Sequence, residues 1–330
     1  MTASESPHAA LVLNPSKVDA YRLKTSLTAQ SRAHGWAPPR FYETSIEDPG
    51  QQITRTALDA GASAVLAAGG DGTVRAVSEA MSETDIPFAV VPSGTGNLFA
   101  RNLALPLGRP EAMIEAVFTG DTHQVDLGWA TLTREDGTAE DHAFVVLAGM
   151  GLDADMIANT NADLKKSVGW VAYLDGAARS LPGAKPFRVV YQFDSGRLHS
   201  AKVQSMLFAN CGALPAGIAL MPDASLDDGR MDIAVIQPAG WLGWLGIWRK
   251  IWWDNSVLRR TRAGRRVLQR RGRDTSIRYV SATASDTAMA APTSIELDGD
   301  EMGIAVRMQC RIVQGGLKIV LPAGHDTSRF

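Results

Sequence analysis

With 330 residues, 45% apolar and 21% charged, the chain is long enough for two ordinary domains and has the composition of a soluble globular protein. A net charge of −2 gives no basis for nucleic acid as a partner. The only two cysteines, Cys211 and Cys310, lie far apart and argue against a disulfide framework or a zinc site. The N-terminal stretch lacks a basic region followed by an apolar core, and no uncharged apolar run approaches the ~20 residues that span a bilayer. The expectation is a cytoplasmic protein that meets a membrane only from its surface.

Residues 9–127 alternate short apolar runs with helical stretches. "AALVLNP" (9–15) reads as a strand, 18–35 as a helix closing at Gly35, and "PRFYETS" (39–45) as a second strand. A helix over 49–61 ends at Gly61, and "SAVLAAGG" follows as a third strand. "TVRAVSEAMSET" is a helix, "PFAVVPSG" (87–94) a fourth strand, and "NLFARNLAL" opens another helix. This alternation predicts a doubly wound parallel sheet. Ligands bind such sheets at the carboxyl ends of the strands, where "GGDGT" and "PSGTGN" both fall.

After Asp126 the pattern changes to β-rich runs broken by hairpin signals at Asp136-Gly137 and Asp194-Ser195-Gly196. "GRMDIAVIQP", "SIRYVSAT", "TSIELDGDE" and "GGLKIVLP" add strands, so the second half is expected to be a mostly antiparallel β-sandwich. The expected domains are 1–127, α/β and nucleotide-binding, and 128–320, β-rich, with 321–330 available to return to the first.

A glycine turn between strand and helix favours phosphate, because bare N–H groups and the helix dipole attract an anion. Here two such turns and a third polar strand end, Asn14-Pro15-Ser16-Lys17, share one sheet edge, which reads as a nucleotide site. The terminal Gly-Lys-Ser/Thr of a phosphate loop is absent, and "GTGNLF" lacks the third glycine of a dinucleotide fingerprint. Asp71 stands inside the first turn, where its carboxylate suits phosphate accompanied by Mg²⁺ better than phosphate alone.

"NPSK", "GGDGTVRAV" and "PSGTGNLFARNL", in this order and spacing, resemble the catalytic domain of the diacylglycerol kinase family, which includes bacterial lipid kinases, sphingosine kinases and ceramide kinases. "VDLGW", "AGMGLDADMI", "PDASLDDGRMDI" and "IELDGDE" extend the resemblance over roughly residues 9–322. It implies an ATP-dependent kinase acting on a lipid hydroxyl, diacylglycerol first, with a sphingosine-type lipid or an NAD-kinase-like metabolite as alternatives. A non-catalytic nucleotide- or lipid-binding protein is the remaining rival. ATP is implied along Asn14, Pro15, Ser16 and Lys17, Thr44, the turn Gly69, Gly70, Asp71, Gly72 and Thr73 with Arg75, and Thr95. Arg75 departs from the asparagine that relatives often carry. Asp126 either caps a turn or orients Lys17 or the metal.

In "PDASLDDGRMDI" the resemblance implies a Mg²⁺ loop, with Asp228 and the carbonyls of Ser225 and Arg230 as ligands. "SIELDGDEMG" looks like the family's Asp-Gly-Glu, whose acidic pair is associated with the catalytic base; here the pair is Asp298 and Asp300. Catalysis is thus expected of Asp298, Asp300 and Asp71. Finally, Trp241, Trp244, Leu245, Trp248 and Trp252 recur at helical spacing ahead of an arginine-rich run. That stretch reads as a packed amphipathic helix or as an interfacial one on an anionic membrane. A homodimer is compatible with the sequence.

Overall fold

The first half folds as its alternating pattern requires. In a computed structural model describing residues 6–151, 186–212, 221, 224–237, 277–328 and 330, β1 (Ala9–Leu13), β3 (Ala64–Gly69) and β4 (Phe88–Pro92) are buried throughout. Burial on both faces is why each reads as an unbroken apolar run. β2 (Arg40–Glu43), at the sheet edge, is mostly exposed. The four pair in parallel in the order β2-β1-β3-β4.

Between them run α1 (Ala20–Ala33), α2 (Gln51–Asp59) and α3 (Asp71–Met81), followed by α4 (Leu98–Asn102) and α5 (Pro110–Thr119). The chain steps from β1 out to β2, then back across β1 to β3 and β4. Right-handed crossovers therefore put α1 on one face and α2 and α3 on the other. α1 packs with α5 and α2 with α3. Strand order reverses between β1 and β3, and the crevice outside their carboxyl ends is the ligand-binding position of such sheets.

The second half is antiparallel: β5 (Asp121–Thr133), β6 (Ala139–Phe144), β7 (Leu147–Met150), β8 (Phe187–Phe193), β9 (His199–Val203), β10 (Ser205–Ala209), β11 (Met231–Ile236), β12 (Ile277–Ala282), β13 (Ala284–Leu297) and β14 (Asp300–Leu321). The expected hairpins form, β5–β6 around Gly137 and β8–β9 around Asp194, both at positive φ.

One feature departs from the sequence reading. "GGLKIVLP" is not a strand of its own but the end of β14, a single strand of 22 residues. Its glycines mark a register shift between Val313 and Leu317 against β5, with Gly315 at φ +61°, so the pair bends the strand instead of ending it. β14 pairs with β13 and β5 and, at Ile319, with Phe88 of β4. Among the described residues, the two halves are thereby hydrogen-bonded into one 14-stranded mixed sheet. β5 runs unbroken through residues 127–128; it gives Val125 and Leu127 to the α/β core and Ala130 and Leu132 to the core of the antiparallel half.

Candidate active site

At the carboxyl ends of β1 and β3, the Asn14 N–H donates to the Ala68 carbonyl (2.9 Å), which ties the "NPSK" exit to the glycine turn. The Asn14 side chain accepts from the Ser16 N–H and hydroxyl, at 3.1 and 2.7 Å, and folds that exit into a tight polar turn. Thr44 follows β2 on the same edge, its N–H donating to the Leu13 carbonyl. Pro15, Ser16, Lys17 and Thr95 are exposed.

The two glycine turns touch each other through their backbones. A Cβ on Gly94 would lie 2.9 Å from Gly70 Cα, and one on Gly69 would lie 2.6 Å from Thr73 Oγ1. A Cβ on Gly70 would meet open space, so this face of the turn is free to take a ligand. The second turn is held from within by Asn97, whose side chain exchanges hydrogen bonds with Gly94 N–H and C=O at 2.9 and 2.7 Å.

Asp71 joins the turns. Its Oδ1 accepts the Leu98 N–H at 2.6 Å, so a residue of α3 caps the start of α4. A Cβ on Gly96 would overlap its other oxygen. Burial raises the Asp71 carboxyl above its ordinary value, opposed by the N–H groups of Leu98 and Asn97. The nearby charge of Asp300 pushes it the same way as burial.

The tight turn between β13 and β14 delivers both acids to this place, and they are held very differently. Asp298, buried at φ +52°, accepts three backbone N–H groups of one segment, from Val145, Val146 and Leu147, each at 2.8 Å. Asp300 stands half-exposed. Its Oδ2 accepts from Arg75 Nη2 at 3.0 Å and lies 3.0 Å from where a Cβ on Gly72 would sit. Its carboxylate therefore faces the first glycine turn across the junction of the two halves.

Burial pushes the Asp298 carboxyl up to about 6, against the pull of its N–H donors and of Arg75. The folded state then holds this proton more tightly than the unfolded chain. The group's contribution to stability is present at about pH 4 and is lost as pH rises to about 6. Urea unfolding across that window should show a downward slope in the wild type that is shallower in Asp298→Asn, which cannot titrate. Equal slopes in the two proteins would show that Asp298 does not carry this proton.

A second acidic cluster lies at the sheet's other junction. Asp126, fully buried, accepts the Gly229 N–H at 2.6 Å and the Gly315 N–H at 2.9 Å, so both its oxygens are committed to backbone. It thus clasps the 224–230 loop to the bend in β14. Asp227 and Asp228 lie close enough to raise its carboxyl, burial being the larger cause. Within the loop, Asp228 accepts the Arg230 N–H, and Asp227 accepts from the Ser225 hydroxyl and contacts His123. Among the described residues no three acidic, His or Cys side chains converge to hold a metal. The donors here are oxygens of carboxylate, hydroxyl and backbone. Such a set fits Mg²⁺ held by one carboxylate with carbonyls and water.

Asn210, at the end of β10, was not singled out by any motif. Its amide donates to the carbonyls of Asp126 and Val145, at 2.9 and 3.1 Å, and so connects the acidic loop to the segment that grips Asp298. A lone asparagine after an apolar strand carries no sequence signal for this. The tryptophan-rich stretch lies outside the described residues.

A parallel α/β half continued by an antiparallel β half that returns to it is the architecture this chain shares with diacylglycerol kinase-like and NAD kinase folds. The chain belongs to the diacylglycerol kinase catalytic-domain family: the diacylglycerol kinase catalytic domain matches residues 8–130, and the YegS C-terminal NAD kinase β-sandwich-like domain matches residues 145–320. A probable YegS-like lipid kinase of Pseudomonas aeruginosa strain UCBPP-PA14 is 28% identical over 97% of this chain and 96% of its own length. A diacylglycerol kinase of Mycobacterium tuberculosis is 28% identical over 57% of this chain and 59% of its own. The crystal structure of a diacylglycerol kinase, described as putative, from Bacillus anthracis superposes with a TM-score of 0.74 at 20% identity, covering 97% of this chain and 98% of that one. Yeast NADH kinase shares the fold more distantly, with a TM-score of 0.54 at 9% identity over 99% and 86% of the two chains. The family is one of kinases, which implies use of ATP. Among the described residues no helix is long and apolar enough to cross a membrane.

Proposed function

We propose that the protein transfers the γ-phosphoryl group of ATP to a lipid hydroxyl, most directly that of diacylglycerol. The observation that carries this reading is Asp300: an open carboxylate from the antiparallel half, aimed at the glycine turn of the parallel half. ATP would lie along Asn14–Lys17, Thr44, turn 69–73 and Thr95, with Gly70 leaving room for its phosphates. Bound with the nucleotide, Mg²⁺ would supply positive charge against the phosphate oxygens, beside Asp71. A second Mg²⁺ would be held by Asp228 and the carbonyls of Ser225 and Arg230, with Asp126 holding that loop in shape.

Asp300 would accept the proton of the attacking hydroxyl as its oxygen bonds to phosphorus and the bond to the ADP oxygen breaks. Asp298 would hold the turn on which Asp300 stands. The domains would divide as 1–127 for ATP and 128–320 for the lipid. The protein would work in the cytoplasm at the face of an anionic membrane, through the tryptophan and arginine residues of 241–273.

The first test is labelled ATP offered with diacylglycerol, ceramide, sphingosine and NAD separately, and phosphatidic acid is the expected product. Labelled NADP instead would assign the metabolite-kinase reading. Replacing Trp244 and Trp248 with serine should weaken binding to phosphatidylglycerol vesicles at least about tenfold and leave ATP binding unchanged. Vesicle binding equal to wild type would remove this stretch from the membrane surface.

A further inference from the structure

Arg75 presents an unusual arrangement. A guanidinium is almost never buried unless paired, and this side chain is only 9% exposed, while its partner Asp300 is 47% exposed. Arg75 is the fifth residue of α3, and helical side chains lean toward the N-terminus. It therefore reaches over the first turn of its helix, where it meets the β13–β14 turn. Its Nη2 donates to Asp300 Oδ2 at 3.0 Å. Its Nε is buried without an acceptor, so Asp300 is the one anion to which it is hydrogen-bonded among the described residues. The Asp298 carboxylate also feels its charge.

The burial decides which of the pair can meet a ligand. A phosphate arriving at the glycine turn would find the open Asp300 carboxylate rather than the covered guanidinium. We infer that Arg75 is a positioning residue, not a nucleotide ligand: it pins Asp300 Oδ2 against the Gly72 backbone and leaves Oδ1 to receive the substrate proton. The pairing crosses from α3 to the β13–β14 turn, so it also registers the base on the ATP-binding turn. A base displaced by about 1 Å can cost on the order of 10²-fold in rate, which sets the size of the effect.

This inference rests on the reading of Asp300 as base, and the experiment separates the two. Arg75→Gln, Arg75→Lys, Asp300→Asn and the Arg75→Gln/Asp300→Asn double variant would be assayed with ATP and dioleoylglycerol in mixed micelles, or with whichever lipid of the panel the wild type phosphorylates. The Kd for Mg·ATP would be measured by calorimetry and folding by urea midpoint. In Arg75→Gln, kcat should fall about 10²-fold while KM and Kd for ATP stay within about twofold. The double variant should be no slower than Asp300→Asn alone, because the arginine acts through that carboxylate. Arg75→Lys, which keeps the charge without the planar fork, should recover about tenfold. A tenfold weaker ATP Kd in Arg75→Gln, or a double variant slower than Asp300→Asn by the full Arg75→Gln factor, overturns the inference and makes Arg75 a nucleotide contact. Wild-type turnover in Asp300→Asn overturns the base reading instead. Should Arg75→Gln fail to fold, Arg75→Lys decides: reduced kcat with unchanged ATP Kd supports the inference, and unchanged kcat or weakened ATP binding overturns it.

Discussion

Replacing Asp300 with alanine is expected to lower kcat at least ~10²-fold with the folded protein intact, whereas replacing Asp298 with alanine is expected to unfold it more readily. The two acids are separated by one residue, but their surroundings assign them different tasks. The Asp300 carboxylate is half-exposed and is hydrogen-bonded through Oδ2 alone, so removing it strips the site of a proton acceptor and Arg75 of its partner. The Asp298 carboxylate is buried under the N–H groups of Val145, Val146 and Leu147. Its removal leaves three buried donors unsatisfied, at about 1–3 kcal/mol each. A loss of about 3 kcal/mol or more in urea unfolding is expected for Asp298→Ala, and a smaller one of about 1–2 kcal/mol for Asp300→Ala, which leaves the Arg75 guanidinium without its anion. If the two variants lose the same stability, or if Asp300→Ala turns over as the wild type does, this division of labour is wrong.

Asp71 should show both effects in one residue, and two variants can tell them apart. Asp71→Asn keeps an oxygen for the Leu98 N–H but removes the charge; Asp71→Ala removes both. The alanine variant should lose about 1 kcal/mol of stability, the usual weight of a helix cap, and the asparagine variant only a fraction of that. Both should lose at least about 10²-fold in phosphoryl transfer, because charge beside the Mg·ATP complex is what the carboxylate would contribute. Calorimetry with and without Mg²⁺ gives the supporting reading: the metal should strengthen ATP binding in the wild type and do so far less in Asp71→Asn. Near-normal turnover in Asp71→Asn would reduce Asp71 to a cap between two turns.

The capping bond also bears on why a glycine turn built for phosphate contains an acid at all. Part of the reason is mechanical. The two turns come from different strand ends and must be registered on each other for any ligand to meet both. Asp71 does this by reaching from the start of α3 to the start of α4. Gly94 and Gly96 permit it, because a side chain at either would collide with the opposing turn or with the carboxylate itself.

Sequence alone determined the parallel half nearly strand by strand, because β1, β3 and β4 are buried on both faces and its helices are amphipathic or closed by glycine. Hydrophobic periodicity reads such elements directly. It also determined which strand ends carry glycine turns, and hence the edge on which a ligand would sit. Only the tertiary structure decided what lies across from that edge. Of β14 the sequence showed only the end, "GGLKIVLP", as a strand, because Gly315 and Gly316 interrupt the apolar pattern, yet those glycines bend one strand that stitches the halves together. The motif "LDGDE" could not say which acid is free, since that depends on N–H groups some 150 residues earlier in the chain, at Val145–Leu147. Nor could local pattern show that Arg75 closes on Asp300, 225 positions away, or that Asn210 joins Asp126 to Val145. Periodicity and turn chemistry are local properties of a chain. The commitment of a carboxylate to one partner or another is settled by which distant backbone the fold brings against it.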